Sequence, residues 1–243
     1  MRIIKLNAID STNSFLRQLS TEESVEDFTV VVADYQTDGR GQMGTQWQSQ
    51  NDKNLMFSVF KEVEGLDVTS HFYLSMAVSL AVFEALKVFQ INQLKIKWPN
   101  DILSEQQKLC GILIENVIKQ NSLQSSIIGI GINVNQTQFT DVPNATSMQL
   151  VSGRNFDREH VLNEILKQLT HYFSLLNSKS MRTLKEAYEA NLFRIDKPST
   201  FKDKDGNLFT GFIKGVSDSG HLNVLVEDDI IKSFDLKDVQ LLF

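Results

Sequence analysis

Residues 70–89 limit the fold most, because apolar side chains occupy nearly the whole circumference of the helix that this segment predicts. We expect a well-buried helix with Ser70 as its N-cap, and such a helix needs protein on every side. A chain of 243 residues can enclose it, since folding at this length hides roughly 70–75% of the unfolded chain's surface. The core therefore needs no disulfide bond or structural metal.

Charge and cysteine content narrow the class of protein. The 24 Lys and Arg residues against 30 Asp and Glu residues give a formal net charge of −6, which argues against a chain-wide electrostatic grip on nucleic acid. The N-terminal residues lack the apolar core of a secretion signal, and no uninterrupted apolar run reaches the ~18 residues of a membrane span. The single cysteine, Cys110, lies in an apolar run and predicts a buried, inert thiol. We therefore expect a cytoplasmic protein that does not enter a membrane.

Hydrophobic periodicity predicts the remaining elements. Predicted strands lie at residues 2–6, 28–35, 55–60, 94–97, 109–118 and 126–134, and predicted helices begin near residue 11, at 157 and at 180. After Pro198, closely spaced turns separate strand candidates at 199–203, 208–217, 221–226, 231–235 and 238–242. Such spacing predicts a small all-β barrel of about 45 residues.

Residues 37–54 are polar and glycine-rich and predict a long loop, which within a compact domain is usually functional. The run GRGQMG at residues 39–44 matches the dinucleotide-binding pattern GxGxxG, but that pattern requires a helix next, and TQWQSQ is poor helix material. No protein-kinase motif accompanies the loop either. Its free backbone N–H groups and the Arg40 guanidinium suit a phosphate or a carboxylate. A flexible surface hairpin is the alternative.

The run KWPND at residues 97–101 is a second unusual cluster. Pro99 holds Trp98 extended and removes a ladder donor, so a strand should break there and project Asn100 and Asp101 from its end. A cation, an indole, an amide and a carboxylate at one strand end suit a nucleotide with its Mg²⁺. An Asx-rich turn around a packed tryptophan is the alternative.

Two further strand candidates carry isolated polar groups. Lys108 precedes the apolar run LCGILIE, although a single lysine at a strand start usually faces solvent. In residues 128–135 glycine alternates with isoleucine, which leaves one strand face bare for a ligand or for tight helix packing. Asn133 can donate and accept, as recognition of an adenine edge requires. The four histidines match no zinc site or hydrolase triad.

Five motifs, taken together and in this order, resemble those of the biotin protein ligase family. They are DSTN at 10–13 with Gln36, GRGQMG with Trp47, KWPND, KLCGILIE at 108–115 and GIGINVN at 129–135. The resemblance implies an α/β (α+β) fold with a central mixed β-sheet flanked by helices, related to synthetase and lipoate-ligase catalytic domains. It places this catalytic domain at residues 1–194 and a small SH3-like β-barrel at residues 195–243.

The resemblance also implies a reaction and its participants. Biotin and Mg-ATP give biotinyl-5′-AMP and pyrophosphate, and a lysine of a biotin carboxyl carrier domain then attacks the mixed anhydride. ATP and Mg²⁺ are therefore the expected cofactors, and a biotin-dependent carboxylase supplies the protein partner. The residues that hold the metal stay unassigned.

Site residues carry over motif by motif. The implied biotin-binding residues are Ser11, Thr12, Asn13, Gln36, Gly39, Arg40, Gly41, Gln42, Trp47, Lys108 and Gly111. The implied ATP-binding residues are Arg40, Asn100, Asp101, Lys108 and Asn133. Arg40 and Lys108 are the implied catalytic residues, because fixed cations neutralise two anions that are forced together. A segment with Phe139, Val142 and Pro143 would close over the adenine.

The sequence departs from the family pattern at two places. Many members carry an arginine where this chain has Gln42, and we hypothesise that its loss lets part of the adenylate escape. Regulatory members carry an N-terminal helix-turn-helix domain, whereas Asp10 here already lies in the first motif. We therefore expect no specific DNA binding, in line with the acidic balance. Pairing of two chains through exposed sheet edges stays open.

Two rival functions also stay open. A lipoate or octanoate ligase or transferase shares the catalytic architecture, although KWPND and the arginine of the glycine-rich loop favour biotin. A non-catalytic biotin sensor built on a decayed ligase is the other rival. The presence of both Arg40 and Lys108 argues against the sensor.

Overall fold

The main sheet has seven strands in a computed structural model that describes residues 1–63, 66–120, 122–140, 142, 144–178 and 180–243. The strands are β1 (Ile3–Ile9), β2 (Thr29–Gln36), β3 (Leu55–Glu62), β4 (Leu94–Lys97), β5 (Asp101–Ser104), β6 (Gln107–Lys119) and β7 (Ser122–Ile132). They lie in the order β1-β2-β3-β7-β6-β5-β4, with β1 parallel to β2 and the other neighbouring pairs antiparallel. The predicted central mixed sheet is therefore confirmed.

Helices pack on this sheet and on one another. Within the described residues they are α1 (Thr12–Glu22), α2 (Phe72–Val88), α3 (Met148–Ser152), α4 (Arg158–Asn177) and α5 (Met181–Ala190). Ser11 is the N-cap of α1, because its side chain accepts a hydrogen bond from the Ser14 N–H at 3.5 Å. Leu16, which is fully buried, packs this helix against the sheet. The helix expected after the DSTN motif is therefore present.

The buried helix expected from the apolar segment is α2, which contacts α4, α5, β4 and β5. Ser70 is not its N-cap, contrary to the prediction, because Val68–Ser70 form a short 3-10 turn and the α-helix begins at Phe72. The segment Val68–Val88 has the length and hydropathy of a membrane-spanning helix, but 72% of its most apolar window is buried inside the protein. Its enclosure by other elements explains why nearly every face is apolar.

The structure contains two short elements that the sequence analysis did not predict. It also contains the long loop that the sequence analysis did predict. Strand β5 has four residues and α3 has five, so neither is long enough to show a hydrophobic period. Residues 37–54 form the expected loop, in which Gln42–Gly44 make a single 3-10 turn and no α-helix follows. The loop therefore lacks the helix that a dinucleotide-binding GxGxxG motif requires.

The C-terminal residues form the expected second sheet. Its strands are β8 (Pro198–Asp203), β9 (Leu208–Val216), β10 (Leu222–Leu225), β11 (Ile231–Phe234) and β12 (Val239–Leu242). They lie in the order β11-β10-β9-β8-β12 with antiparallel neighbours, and each observed end is within one residue of the prediction. The division into a catalytic domain that ends at residue 194 and a barrel that begins at residue 195 stays a prediction. The β-bridge between Ile195 and Ile213, which connects residue 195 to strand β9, supports this prediction.

The turn between β9 and β10 joins the barrel to the rest of the protein. Asp218 in this turn accepts hydrogen bonds from Tyr73 Oη at 2.9 Å and from Lys185 Nζ at 2.8 Å. Burial, reinforced by Asp218, raises the pKa of Tyr73 to about 12. Trp98 of the KWPND motif donates from Nε1 to the Gly220 carbonyl at 2.9 Å. The indole of this motif therefore anchors the barrel.

Gly220 tests how tightly this turn is held. It has φ of +91°, and a Cβ there would overlap the Phe72 ring, whereas Gly206 has φ of +89° with only Lys202 Cε within 4 Å, at 3.8 Å. We predict that Gly220→Ala lowers the free energy of unfolding by about 2–4 kcal/mol through backbone strain and overpacking. Gly206→Ala, the matched control, should cost about 1 kcal/mol from backbone strain alone. Urea unfolding measures both, and equal losses would contradict the tight packing of this turn.

Candidate active site

A cavity of about 260 Å³, here called the main cavity, brings together four separate parts of the chain. These parts are the start of α1, the end of β2 with the loop, the KWPND turn with Lys108, and one face of β3, β6 and β7. The lining residues are Ser11, Thr12, Asn13, Gln36, Arg40, Gly41, Gln42, Met43, Thr45, Gln46, Trp47, Met56, Phe57, Asn100, Asp101, Lys108, Gly111, Ile112, Leu113, Gly129, Ile130 and Gly131. All the residues implied to bind biotin or ATP or to act in catalysis line this cavity except Gly39 and Asn133.

Three uncharged polar side chains form one end of the main cavity, which we call the polar floor: Thr12, Asn13 and Gln36, with the buried Ser58 behind them. Gln36 Oε1 accepts hydrogen bonds from the N–H and Oγ1 of Thr12 at 2.8 and 3.0 Å. Ser58 Oγ donates to Asn13 Oδ1 at 2.6 Å and also lies 2.8 Å from Thr12 Oγ1. The Gln36 Nε2 amide makes no hydrogen bond within the described part of the chain, so its two protons can serve a carbonyl oxygen of a ligand.

Glycines make room for the side chains of the site. A Cβ at Gly129 would overlap the Asn13 amide, and one at Gly131 would lie 2.6 Å from the Trp47 ring. At Gly111 the same ring would be 3.3 Å away. The bare face expected from alternating glycine and isoleucine is therefore real, but Asn13 and Trp47 occupy it. The indole plane forms an apolar wall of the cavity, as expected for Trp47.

Each of the two candidate catalytic cations has a carboxylate partner. Arg40 Nη2 lies 3.0 Å from Glu115 Oε2, and Lys108 Nζ lies 2.6 Å from Asp101 Oδ1. Lys97 Nζ is also near Asp101, at 3.7 Å from Oδ2. The carboxylates are 16% and 13% exposed, so water screens these pairs only in part. A ligand anion would therefore compete with a protein carboxylate for each of the two cations.

The loop that carries Arg40 is fixed at its ends. The Trp47 N–H donates to the Gly39 carbonyl at 2.8 Å, which closes a small hairpin around the tip. Arg158 donates to Asp34 at 3.1 Å and to Asp52 at 3.0 Å, so α4 holds the far end. These contacts set the position from which the Arg40 side chain reaches the cavity.

A second cavity, of about 730 Å³, lies between the KWPND turn and the barrel. It shares Gln42, Met43, Asp101 and Lys108 with the main cavity, so the two cavities adjoin at Lys108. Its charged lining residues are five lysines and two aspartates, namely Lys97, Lys108, Lys202, Lys204, Lys237, Asp101 and Asp203. In a chain with a net charge of −6, this cavity is locally cationic and suits an anion larger than a single carboxylate.

Three candidate residues from the sequence, Gly39, Asn133 and Phe139, lie outside the lining of both cavities. A Cβ at Gly39 would lie 2.5 Å from the Trp47 carbonyl oxygen, so this glycine permits the hairpin. Asn133 is buried, and its Nδ2 donates to the Lys108 carbonyl at 3.5 Å. Val142 lines the second cavity, whereas Pro143 lies outside the described residues.

Sequence reasoning missed two buried partners of the site. Ser58 is a hydroxyl within the apolar strand β3, and that contrast was a usable signal. Glu115 ends the apolar run of β6, and nothing local distinguishes it from a solvent-facing residue. Cys110 behaves as expected, since it is fully buried and burial raises the pKa of its thiol well above the ordinary range. Among the described residues, no group of three His, Cys, Asp or Glu side chains could hold a metal ion.

Comparison with known proteins identifies the family. The sequence profile of the biotin/lipoate A/B protein ligase family matches residues 6–133, which is more than half of the chain. The chain belongs to this family. The matched span contains every motif from DSTN to GIGIN and all the residues that line the main cavity.

Other members of the biotin/lipoate A/B protein ligase family align with nearly the whole chain. The bifunctional ligase/repressor BirA of Bacillus spizizenii is 31% identical over 96% of this chain and 72% of its own length. The biotin–[acetyl-CoA-carboxylase] ligase of Mycobacterium tuberculosis is 28% identical over 87% of this chain and 79% of its own. The structure of biotin protein ligase from Aquifex aeolicus with biotin and ATP has a TM-score of 0.81 at 30% identity, covering 99% of this chain and 98% of that one. The resemblance inferred from the motifs is therefore confirmed.

Proposed function

We propose that this chain attaches biotin to a carrier protein in an ATP-dependent reaction, through biotinyl-5′-AMP. One observation carries the proposal: the main cavity joins an uncharged hydrogen-bonding floor to two cations, Arg40 and Lys108. Biotin has the matching chemistry, since an uncharged bicyclic ring is joined by an aliphatic tail to a carboxylate. Such a ligand binds by apolar burial and a few directed hydrogen bonds. The similarity to a ligase whose structure contains biotin and ATP supports the assignment.

The polar floor would bind the ring of biotin. The free Gln36 Nε2 amide would donate to the ureido carbonyl, while Thr12 holds the other end of that amide in place. Ser11 and Asn13 line the same end of the cavity, and Trp47 gives an apolar surface for the ring and tail. The missing Cβ at Gly111 lets the Lys108 side chain and the Trp47 ring lie close to the strand, next to the tail. The carboxylate would then lie between Arg40, with the backbone of Gly41, and Lys108.

The chemistry requires two anions to come together. A carboxylate oxygen of biotin attacks the α-phosphorus of ATP, the bond from that phosphorus to the β-phosphate bridging oxygen breaks, and pyrophosphate leaves with the electron pair. A neutral lysine amine of the carrier then attacks the biotinyl carbonyl carbon, AMP leaves, and the amine loses a proton. Arg40 and Lys108 would neutralise the negative charge that accumulates in the first step. Such electrostatic stabilisation is usually the largest contribution to the rate acceleration of a transfer reaction.

The second cavity would accept the remaining phosphates of ATP. Its lysines face the space beyond Lys108, where the β- and γ-phosphates would lie. Asn100 and Asp101 line the main cavity beside it, and the prediction that Asn133 meets the adenine stays open. Mg²⁺ fits this setting, because it typically takes few carboxylates together with substrate phosphates and water, and Asp101 offers one carboxylate. When bound, the ion would neutralise phosphate charge.

The partner and the setting follow from the same function. The acceptor would be the biotin carboxyl carrier domain of a biotin-dependent carboxylase, and the compartment would be the cytoplasm. The net charge of −6 supports the absence of specific DNA binding. The parallel strand β1 ends the main sheet on one side and is largely exposed, which leaves an edge for pairing of two chains.

Intact mass spectrometry of a carrier domain tests the function. We expect one biotinyl adduct after incubation with this protein, biotin and Mg-ATP, and none when ATP is omitted. Lipoate and octanoate in parallel tubes separate the ligases of the related fold. If only lipoate or only octanoate gives an adduct, that acid and not biotin is the substrate. Binding of biotin without any adduct would indicate a sensor.

Lys108→Ala separates a catalytic role from a binding role. We predict that the rate of biotin-dependent ATP–pyrophosphate exchange falls by about 10²–10³-fold, because the cation is needed most in the transition state. The affinity for biotin alone, measured by calorimetry, should change much less. Equal losses in both measurements would instead make Lys108 a uniform binding residue.

Gln42→Arg tests whether the missing arginine makes the adenylate escape. Gln42 lies on both cavities at the tip of the loop, where a guanidinium could reach the adenylate phosphate. We predict that the substitution slows adenylate release by about tenfold, the usual size of a charge-assisted hydrogen bond. Release is followed after enzymatic removal of pyrophosphate, with Gln42→Met as the uncharged control. The hypothesis fails if the arginine variant releases the adenylate as fast as the unchanged protein.

A further inference from the structure

Glu115 connects three side chains, two from α1 and one from the loop after β2, although it does not itself line either cavity. Its Oε2 accepts hydrogen bonds from Asn13 Nδ2 at 2.8 Å and from Arg40 Nη2 at 3.0 Å. Its Oε1 accepts from Arg17 Nη2 at 2.8 Å. Asn13 and Arg40 line the main cavity, while Arg17 lies on α1 with a side chain that is 53% exposed. The carboxylate therefore joins a surface cation to a site cation.

The two oxygens of the Glu115 carboxylate have different partners, and this determines which contacts remain when Arg40 moves away from the carboxylate. A carboxylate that is 16% exposed would be costly to leave without a partner. If Arg40 turns into the cavity, Oε2 keeps the Asn13 amide and Oε1 keeps Arg17. Departure of Arg40 therefore leaves neither oxygen unpaired and leaves the charge compensated.

Asp101 shows the same arrangement around the other site cation. Lys108 contacts its Oδ1 at 2.6 Å, and Lys97 lies 3.7 Å from its Oδ2. Lys97 lines only the second cavity, so it would stay beside the carboxylate when Lys108 moves to a substrate. Each site cation thus shares its carboxylate with a second cation outside the main cavity.

We propose that Glu115 is a positioning residue that holds Arg40 until the substrate anion binds and then releases it to that anion, while Arg17 compensates the carboxylate. The proposal rests on the proposed function, because the anion is the carboxylate of biotin or the α-phosphate of ATP. Arg17 is then a distant residue that sets how readily Arg40 is released. Loss of the Arg17 cation raises the energy of the state in which Arg40 has left Glu115 more than the energy of the state in which Arg40 is bound to Glu115.

Arg17→Gln is the first test, with Arg2→Gln as a matched control. Arg2 forms an exposed pair with Glu23 at 3.5 Å, so the control makes the same charge change near the same helix. We expect Arg17→Gln to lower kcat/KM for biotin in ATP–pyrophosphate exchange by about threefold to fivefold, the scale of a partly exposed ion pair. Arg2→Gln should match the unchanged protein.

The decisive comparison repeats Arg17→Gln in a Glu115→Gln background. A neutral amide needs no compensating cation, so Arg17→Gln should cause no further loss there. The same loss in both backgrounds would overturn the proposal, because Arg17 would then act through the stability of α1. No loss in either background would overturn it as well.

A substrate-free measurement separates this inference from the proposed function. Urea unfolding of Arg40→Gln, Glu115→Gln and the double variant forms a double-mutant cycle. We expect the two substitutions to be non-additive, by at least about threefold in the unfolding equilibrium constant. Additive losses would overturn the inference even where the ligase reaction is intact. If Arg40 and Glu115 are coupled but the protein catalyses no biotin-dependent ATP–pyrophosphate exchange, the proposed function is wrong. The Arg17 test would then compare biotin affinities measured by calorimetry instead of kcat/KM.

Discussion

The main cavity depends on the close contact between a bare strand face and two side chains from elsewhere in the chain. Gly129 and Gly131 carry no Cβ, and Asn13 and Trp47 fill the positions that such atoms would take. The start of α1 and the loop after β2 therefore meet over the middle of the sheet. A larger residue at either glycine would displace both the polar floor and the apolar wall.

Charge pairing explains how the protein keeps reactive cations in a partly buried site before substrates arrive. Isolated charges there would destabilise the fold, but Arg40 and Lys108 each lie against a carboxylate. Under the proposed function the same carboxylates would compete with the substrate for those cations. The additional cations next to the carboxylates, Arg17 and Lys97, would reduce this competition.

Local patterns predicted most of the helices and strands, and turn spacing gave the five barrel strands. The candidates that line the main cavity came from the family resemblance that the order of the motifs carries, whereas long-range partners could not be predicted. Ser58 and Glu115 were missed because their roles follow from strand register and from side chains 45 to 102 residues away. The N-cap of α2 was misplaced because Ser70, a residue type that favours N-caps, ends the 3-10 turn Val68–Ser70 and the α-helix begins at Phe72. Nothing near Trp98 indicates that its partner is Gly220.

The hydrogen bond between Trp98 and Gly220 spans 122 residues of sequence, and this separation orders the assembly of the site during synthesis. A nascent chain that stops before residue 220 already contains every residue of the main cavity. It lacks the part of the second cavity's wall that follows residue 220, and the indole lacks this acceptor. Since domains made first generally fold first, we expect the main cavity to form before the wall of the second cavity is complete.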